Sequence, residues 1–529
     1  MSFNLRNVLI SDEVDDKCVD ILRSNGIEVV KNTKLSKEQL ISEIPKYDGL
    51  IVRSATKATA DVIAAATNLK IIGRAGTGVD NIDCDAATKK GIIVMNTPGG
   101  NTLSAAEHTC ALLMAMSRNI AQGTESLHQG RWDRKKLMGN EVNGKTLAIL
   151  GLGRIGKEVA TRMQAFGMTT IGFDPITPPE VAASFGVKSM SLDEIWPLAD
   201  YITVHTPLIP QTKNLLNDTT LSKCKKGVKV INCARGGIID EDALLRALES
   251  GQCGGAALDV FVQEPPTESP IIKHPKVTCT PHLGASTLEA QSRVAEDIAK
   301  QFVDMVKGKE LFGAINAAAL ANALSPNTRP WVRLGTALGQ LGSALLGQIS
   351  NDTQVKLVTY GSGLENAASY LGAAVLVGVL RPKSQNGLNL VSAPAVAKEM
   401  GLKVSTEHQA SAPDGLSELV TVTVQQPGGA TYTLSGLVGA GVPLLVTLNN
   451  ANFSPRVALE GTNLVYSSAS TSVLGTVVGA VTAAGSTVTS FSSSASLDNQ
   501  TWSLMQVAPP LGSLDTIKSS VKCVQQVAF

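Results

Sequence analysis

Short apolar runs alternate with amphipathic stretches from Val8 to Met95, and the alternation predicts strands and helices in turn. Val8–Ile10, Ile27–Val30, Gly49–Val52, Leu69–Gly73 and Ile92–Met95 read as short buried strands. Between them, Asp15–Arg23, Ser36–Ile44, Thr59–Ala66 and Asp83–Lys89 read as amphipathic helices, the first closed by Gly26. Such alternation predicts a parallel, doubly wound sheet whose ligand sites lie beyond the carboxyl ends of its strands. Arg53-Ser54 follows one such end, and Arg74-Ala75-Gly76-Thr77-Gly78 follows another. Two cations beside a glycine turn suit an anionic substrate, although arginine is also a common solvated surface residue.

From Asn96 the pattern becomes a loop and then a long helix, with Ser104 as its expected cap and Glu107 completing a capping box. The basic stretch after it, with Arg131, Trp132 and Arg134, reads as a solvated loop unless the substrate is polyanionic.

The stretch Lys145–Pro175 has a more specific pattern. An apolar strand, Leu147–Leu150, runs into Gly151, Gly153 and Gly156 at GxGxxG spacing, then a helix and a second strand, Thr169–Phe173. Asp174 closes that strand about 20 residues after the glycines, where a dinucleotide-binding fold needs an acid for the ribose. Gly151 serves the tight turn, Gly153 the approach of a pyrophosphate, and Gly156 the contact of helix with strand. The free amides at the helix start face the anion. Because a 2′-phosphate would meet like charge at Asp174, the stretch predicts NAD rather than NADP as cofactor.

Four further strands end on polar residues. Tyr201–His205 leads to Thr206, Val228–Asn232 to Cys233-Ala234-Arg235, Ala256–Leu258 to Asp259, and Val277–Thr280 to His282. Between two of them lies a helix capped by Asp240, with Leu244, Leu245 and Leu248 facing the core and Gly251 at its end. All these strand ends share the sheet edge of the glycine loop. There, Arg235 offers a planar fork for a carboxylate, His282 a proton carrier near neutral pH, and Glu264 a partner for the imidazole. Each has a duller reading alone, as phosphate ligand, structural histidine or loop charge. Gathered around one nicotinamide site, the three point to catalysis.

Composition changes the picture mainly in the tail. With 529 residues the chain is long enough for three or more domains, and its net charge of +1 gives no sign of a nucleic-acid binder. From about Asn316 the chain turns to small residues, and no charge occurs between Glu460 and Asp498. That uncharged segment is rich in Ser, Thr and Gly, so a small-residue α/β module is expected there and not a membrane span. Eight scattered cysteines without a CxxC pair, and acids from Asp12 to Asp16 that argue against a signal peptide, suggest free thiols in a reducing cytoplasm. No metal is expected.

The motifs GLGRIG, VINCARGGIIDEDAL, AALDVFVQEPP and TPHLGAST resemble successive signatures of the D-isomer-specific 2-hydroxyacid dehydrogenases, across essentially residues 5–315. GRAGTGVDNID and NTPGGNTLSAAEHT are especially similar to the members that oxidise 3-phosphoglycerate. The resemblance implies NAD-dependent oxidation of 3-phospho-D-glycerate to 3-phosphohydroxypyruvate, the first step of the phosphorylated route to serine. It implies that Arg235, Glu264 and His282 are catalytic. It places NAD on Thr77, Arg154, Ile155, Asp174, Thr206, Cys233, Ala234, Arg235, Asp259 and His282, with Gly284 and Ala285 as looser additions. It assigns the substrate to Arg53, Ser54, Arg74, Gly76 and Arg134, the last for the phosphate, in its own subunit or the neighbouring one.

The family fold is discontinuous α/β. The resemblance divides this chain into a substrate domain (1–98 and 284–315, returning through a helix Ser286–Val306) and a Rossmann NAD domain (99–283). An α+β intervening domain (316–460) and an ACT-like βαββαβ module (461–529) follow. NGLNLVSAPAVAKEMGLKV resembles the former. The module should hold helices Leu474–Ala484 and Leu514–Val524 around strands Thr487–Ser493 and Thr501–Val507, for regulation or assembly. A dimer through the NAD domain, and a tetramer of such dimers, are expected. A hydroxypyruvate or glyoxylate reductase, and an NAD-binding corepressor of the same fold, are the alternatives.

Overall fold

The computed structural model describes residues 4–309, 311–321, 323, 325–383, 388–469 and 473–529. The chain forms two compact units, one of Met1–Asn96 with Glu296–Phe529 and one of Thr97–Ala295.

The first unit opens with a parallel sheet of β1 (Asn7–Ile10), β2 (Glu28–Lys31), β3 (Gly49–Val52), β4 (Ile71–Arg74) and β5 (Ile93–Asn96), in the order β2-β1-β3-β4-β5. β3 is buried along its whole length, as an uninterrupted Gly-Leu-Ile-Val run requires. The intervening helices start where short polar side chains satisfy free amides: Ser36 forms a capping box with Gln39, and Asp83 accepts from Ala86 N–H. Phe302, on the helix Leu288–Val306, packs against Gly49 and Gly73. A side chain at Gly73 would come within 2.5 Å of that ring.

In the same unit, a six-stranded mixed sheet runs Lys403–Gln409, Gln354–Tyr360, Leu419–Gln425, Thr431–Gly439, Val442–Leu448, Ala451–Ala458, parallel only in its first pair. Helices Arg329–Leu346 and Ala368–Leu380 touch backbone to backbone: a Cβ on Gly378 would lie 2.1 Å from the Thr336 carbonyl and one on Gly339 2.2 Å from that of Val375. Small residues here are therefore a packing requirement. Asn386 and Gly387 of the expected intervening motif lie outside the described residues, and the rest of it folds as a turn, the helix Ala393–Glu399 and the start of the strand Lys403–Gln409.

The last four strands pair antiparallel in the order Thr487–Ser493, Thr501–Ala508, Thr462–Ser468, Cys523–Ala528. With helix Leu474–Ala483 this gives the βαββαβ module. Its second helix is a single turn, Asp515–Lys518, shorter than the expected Leu514–Val524. The chain beyond it pairs with Thr462–Ser467 as a strand, in which Val524 and Val527 are buried. Among the described residues no helix is long and apolar enough to cross a membrane.

The second unit holds a parallel sheet of β6 (Thr146–Leu150), β7 (Thr169–Phe173), β8 (Lys188–Ser189), β9 (Tyr201–Val204), β10 (Val228–Asn232), β11 (Cys253–Leu258) and β12 (Val277–Cys279). Its order is β12-β11-β10-β9-β6-β7-β8, which reverses direction between β9 and β6. That switch point opens a crevice at the carboxyl ends, above the glycine loop. Helix Thr102–Ser117 begins three residues earlier than a Ser104 cap would allow; Asn101 holds the cap position, and Ser104 is buried against Thr287, its hydroxyl 2.7 Å away. The helix Glu241–Ser250 is capped by Asp240 and closed by left-handed Gly251, but Ala247 joins Leu244 and Leu248 in the core while Leu245 is only half-buried.

Gly156 leaves no room for a side chain where its helix lies on the glycine loop, its Cβ position being 2.1 Å from the Gly151 carbonyl. Gly156→Ala should destabilise the unit by about 1–3 kcal/mol. A thermal melt read by calorimetry checks this, and an unchanged transition would show that the helix tolerates the shift.

Candidate active site

The glycine loop is built from backbone constraints. Gly151 donates its N–H to the Phe173 carbonyl at 2.9 Å and has φ +101, with its Cβ position 2.6 Å from the His205 carbonyl. No side chain is tolerated there. At Gly153 a Cβ would meet nothing within 4 Å, so that side of the loop is open. Helix Arg154–Ala165 starts there, and the amides of Arg154, Ile155 and Gly156 have no intrahelical acceptor. Asp174 accepts from Leu152 N–H at 2.8 Å on one oxygen and from Ile176 and Thr177 N–H at 2.8 and 3.1 Å on the other. A carboxylate keeps acceptor capacity beyond three such bonds. Beside it lies an open cavity of about 650 Å³ whose lining includes Pro175, Ile176, Pro178 and Met190. The Thr206 hydroxyl, at the next strand end, is buried without a hydrogen-bond partner. Orphan amides, an unfilled cradle at Gly153 and an unsatisfied hydroxyl together fit a dinucleotide.

The three proposed catalytic residues sit on successive loops of the same edge. Buried Asn232 shapes the first: its side chain accepts from Ala234 N–H at 3.0 Å and donates to the Arg235 carbonyl at 2.8 Å. The Arg235 guanidinium donates to the Ala234 carbonyl at 2.6 Å. Gly236 lets this loop lie on the next one, since a Cβ there would be 1.9 Å from the Phe261 carbonyl. Glu241 accepts from Val262 N–H at 2.6 Å, and its burial raises its own carboxyl above the ordinary range. One Glu264 oxygen accepts from Phe261 N–H at 3.1 Å, and the other lies 2.8 Å from His282 Nδ1. The pair is half-exposed, at 49% and 38% for the two side chains, so water and small ligands reach it.

His282 has φ +55, a left-handed conformation uncommon for a residue with a side chain. The turn carrying it is held by Asp259, which is fully buried. Asp259 Oδ1 accepts from the Thr280 hydroxyl at 2.6 Å and Leu283 N–H at 2.7 Å, and Oδ2 accepts from Gly284 N–H at 2.8 Å. His108 Nε2 lies 3.2 Å from Oδ1 and 3.0 Å from the Thr280 hydroxyl. Burial pushes the Asp259 carboxyl up, but these donors hold it below its ordinary value.

Some cofactor candidates point elsewhere. The partly buried Cys233 thiol sits near Thr109, and burial pushes it up to about 12. The Gly284 amide is engaged by Asp259, and the Ala285 carbonyl accepts from Gln291.

The N-terminal candidates lie in the first unit. Asp12, itself buried, accepts from Arg53 N–H at 2.5 Å and Thr56 N–H at 3.0 Å, while Asn81 bridges the Arg53 and Thr56 carbonyls at 2.6 Å each. This presents Arg53 half-buried, its Nε unpartnered, with burial lowering its guanidinium below the ordinary value against the pull of Asp12. Ser54 beside it is exposed. Arg74 is the last residue of β4 and folds back over Gly76, whose Cβ position lies on the guanidinium; it donates to the Ala75 carbonyl at 3.0 Å. Thr77 accepts on its carbonyl from Asn96 at 2.5 Å. In the second unit Arg134 is exposed, while its neighbours Arg131 and Lys136 are both paired with Asp133.

Asp12, His108, Asn232, Glu241 and Thr280 were not expected among the site's residues. Asn232 ends one strand run and Asp12 lies two residues past another, positions where short polar side chains shape turns. Nothing in sequence spacing marks His108, whose partners are distant along the chain.

Two family models match the chain: "D-isomer specific 2-hydroxyacid dehydrogenase, NAD binding domain" over residues 110–284 and "D-3-phosphoglycerate dehydrogenase intervening domain" over 327–449. The D-3-phosphoglycerate dehydrogenases of Rattus norvegicus and Homo sapiens are 55% and 54% identical to it, each match covering 99% of both chains. A glyoxylate reductase structure from Paecilomyes thermophila superposes with TM-score 0.55 at 30% identity, over 59% of this chain and 98% of that one. Similarity over 99% of both chains, from the NAD-binding domain through the intervening domain to the tail, places this chain in the D-3-phosphoglycerate dehydrogenase family.

Proposed function

We propose that the chain oxidises 3-phospho-D-glycerate to 3-phosphohydroxypyruvate with NAD, opening the phosphorylated route to serine. The observation that carries the chemistry is the Glu264–His282 pair on the NAD-binding sheet edge. With Nδ1–H donated to Glu264, His282 leaves Nε2 as an acceptor for the substrate's hydroxyl proton. As that proton leaves, C2 loses its hydrogen with the bonding pair and becomes a carbonyl. Bound NAD supplies the acceptor for that hydride. Glu264 stabilises the imidazolium so formed, and Arg235 orients the carboxylate by its fork. Gly153, Arg154, Ile155 and Gly156 would hold the pyrophosphate, Asp174 the ribose, and Thr206 a polar group of the cofactor. Thr77, Asp259 and Gly284 are carried over as cofactor residues by resemblance.

The same reading assigns the anionic ends of the substrate to Arg53, with Ser54, and to Arg74 over Gly76; a half-buried cation whose Nε has no partner supports it. It keeps the domain division 1–98 with 284–315, 99–283, 316–460 and 461–529, the last for regulation or assembly. Association through the NAD domain into dimers and tetramers is supported by apolar side chains exposed at Ile120, Leu127, Trp132 and Met138, with Arg134 among them for a neighbour's substrate. Free cysteines throughout suit the cytoplasm. A glyoxylate reductase shares the dehydrogenase fold, but that neighbour covers 59% of the chain, whereas the phosphoglycerate dehydrogenases extend through the tail.

Steady-state rates with NAD should favour 3-phosphoglycerate over glycerate and 2-hydroxyglutarate; no activity with the phosphorylated acid would overturn the reading. His282→Ala should lower kcat by about 10²–10⁴-fold while NAD binding, followed by fluorescence, persists. Near-normal turnover would remove His282 from the mechanism. Arg53→Ala, losing charge-assisted bonds of about 1.5–3 kcal/mol, should raise KM for 3-phosphoglycerate about tenfold or more and leave KM for NAD nearly unchanged. An unchanged substrate KM would remove Arg53 from the site.

A further inference from the structure

We propose that His108 is a positioning residue for His282, acting through Asp259 and Thr280. The inference rests on the reading of His282 as the proton acceptor and adds a residue to it.

The donor count fixes what His108 does. The Thr280 hydroxyl gives its only proton to Asp259 Oδ1, so its oxygen is left to accept. His108 Nε2 lies 3.0 Å from that oxygen and 3.2 Å from Oδ1. Both neighbours are acceptors in that direction, so Nε2 carries a hydrogen and shares it between them. Among the described residues His108 is the one cation-forming side chain against Asp259, which makes no ion pair with Lys or Arg. A fully buried carboxylate needs such donors.

The link leads directly to the proposed acid–base group. The two oxygens of Asp259 hold the amides of Leu283 and Gly284, the residues after His282, and its carbonyl accepts from His282 N–H at 3.0 Å. The turn keeps His282 at φ +55 and its Nδ1 on Glu264. His108 is carried by the helix Thr102–Ser117, whose Ala105, Ala106, Thr109 and Leu113 are buried, so the donor comes from a firm support. Withdrawing it leaves Asp259 short of a donor and loosens the turn that aims the imidazole. Neither substrate nor cofactor need touch His108 for this effect.

His108→Leu keeps bulk and removes the donor, whereas His108→Gln sets an amide N–H near the position of Nε2. His108→Leu should lower kcat about 10- to 100-fold, the cost of a misaimed group, with KM for NAD changed by no more than about twofold. His108→Gln should recover most of the loss. Thr280→Val should give a similar loss, and the double variant should be no worse than either single one. Hydrogen exchange at Leu283 and Gly284 should quicken in His108→Leu and Thr280→Val, and not in His108→Gln. The proposal is overturned if His108→Leu turns over within about twofold of the unmodified chain, if Gln is no better than Leu, or if exchange in that turn is unchanged. Should His108→Leu fail to fold, the Thr280→Val and His108→Gln measurements decide alone. If the unmodified chain oxidises a different 2-hydroxy acid, the substrate reading fails and the same ratios are read with that acid; the exchange measurement needs no turnover.

Discussion

A carboxylate withdrawn from water keeps its charge only where the chain supplies donors around it, and Asp259 sits in that position at the end of β11. Its partners come from three places: the backbone after His282, the hydroxyl at the end of β12, and the imidazole of His108. The same device recurs along both ligand-facing edges. Asp174 holds the Leu152 amide of the glycine loop, and Asp12 holds the turn that carries Arg53. In each case a strand-end acid turns inward to accept backbone amides, and the loop so fixed presents its orphan amides, guanidinium or imidazole outward. The reactive groups are placed by loops whose backbone amides these carboxylates hold.

This arrangement explains what the sequence alone makes readable. Strands, glycine loop and triad follow from local patterns: apolar runs of strand length, GxGxxG before a helix, and polar residues directly after strands. The parallel order then brings those ends to one edge without further information. The supporting residues are different in kind. His108 is far from Asp259 in the chain and meets it only through tertiary packing, so no spacing rule pairs the two. Asp174 was expected for the ribose alone, yet three backbone amides also depend on it. Ser104 shows the converse: a good capping pattern yields to burial against Thr287, and the helix starts earlier. Tertiary packing overrides the local signal there.

In the tail, composition spoke more clearly than pattern. The dense glycine and alanine of residues 329–380 serve two helices whose backbones touch, a contact that larger side chains would block. The final strand was hidden because Lys518 to Cys523 carries no strong turn signal, and Val521, Val524 and Val527 recur at helical spacing. Only pairing with Thr462–Ser467 decides between helix and strand for that segment.

The central claim is that this chain removes a hydride from C2 of 3-phospho-D-glycerate while His282 takes the hydroxyl proton. Following the oxidation of substrate deuterated at C2, with NAD in unlabelled water, tests it most directly. The deuterium should be recovered in the reduced cofactor, with none in the solvent. Deuterium released to water, or no oxidation of this substrate, would contradict it.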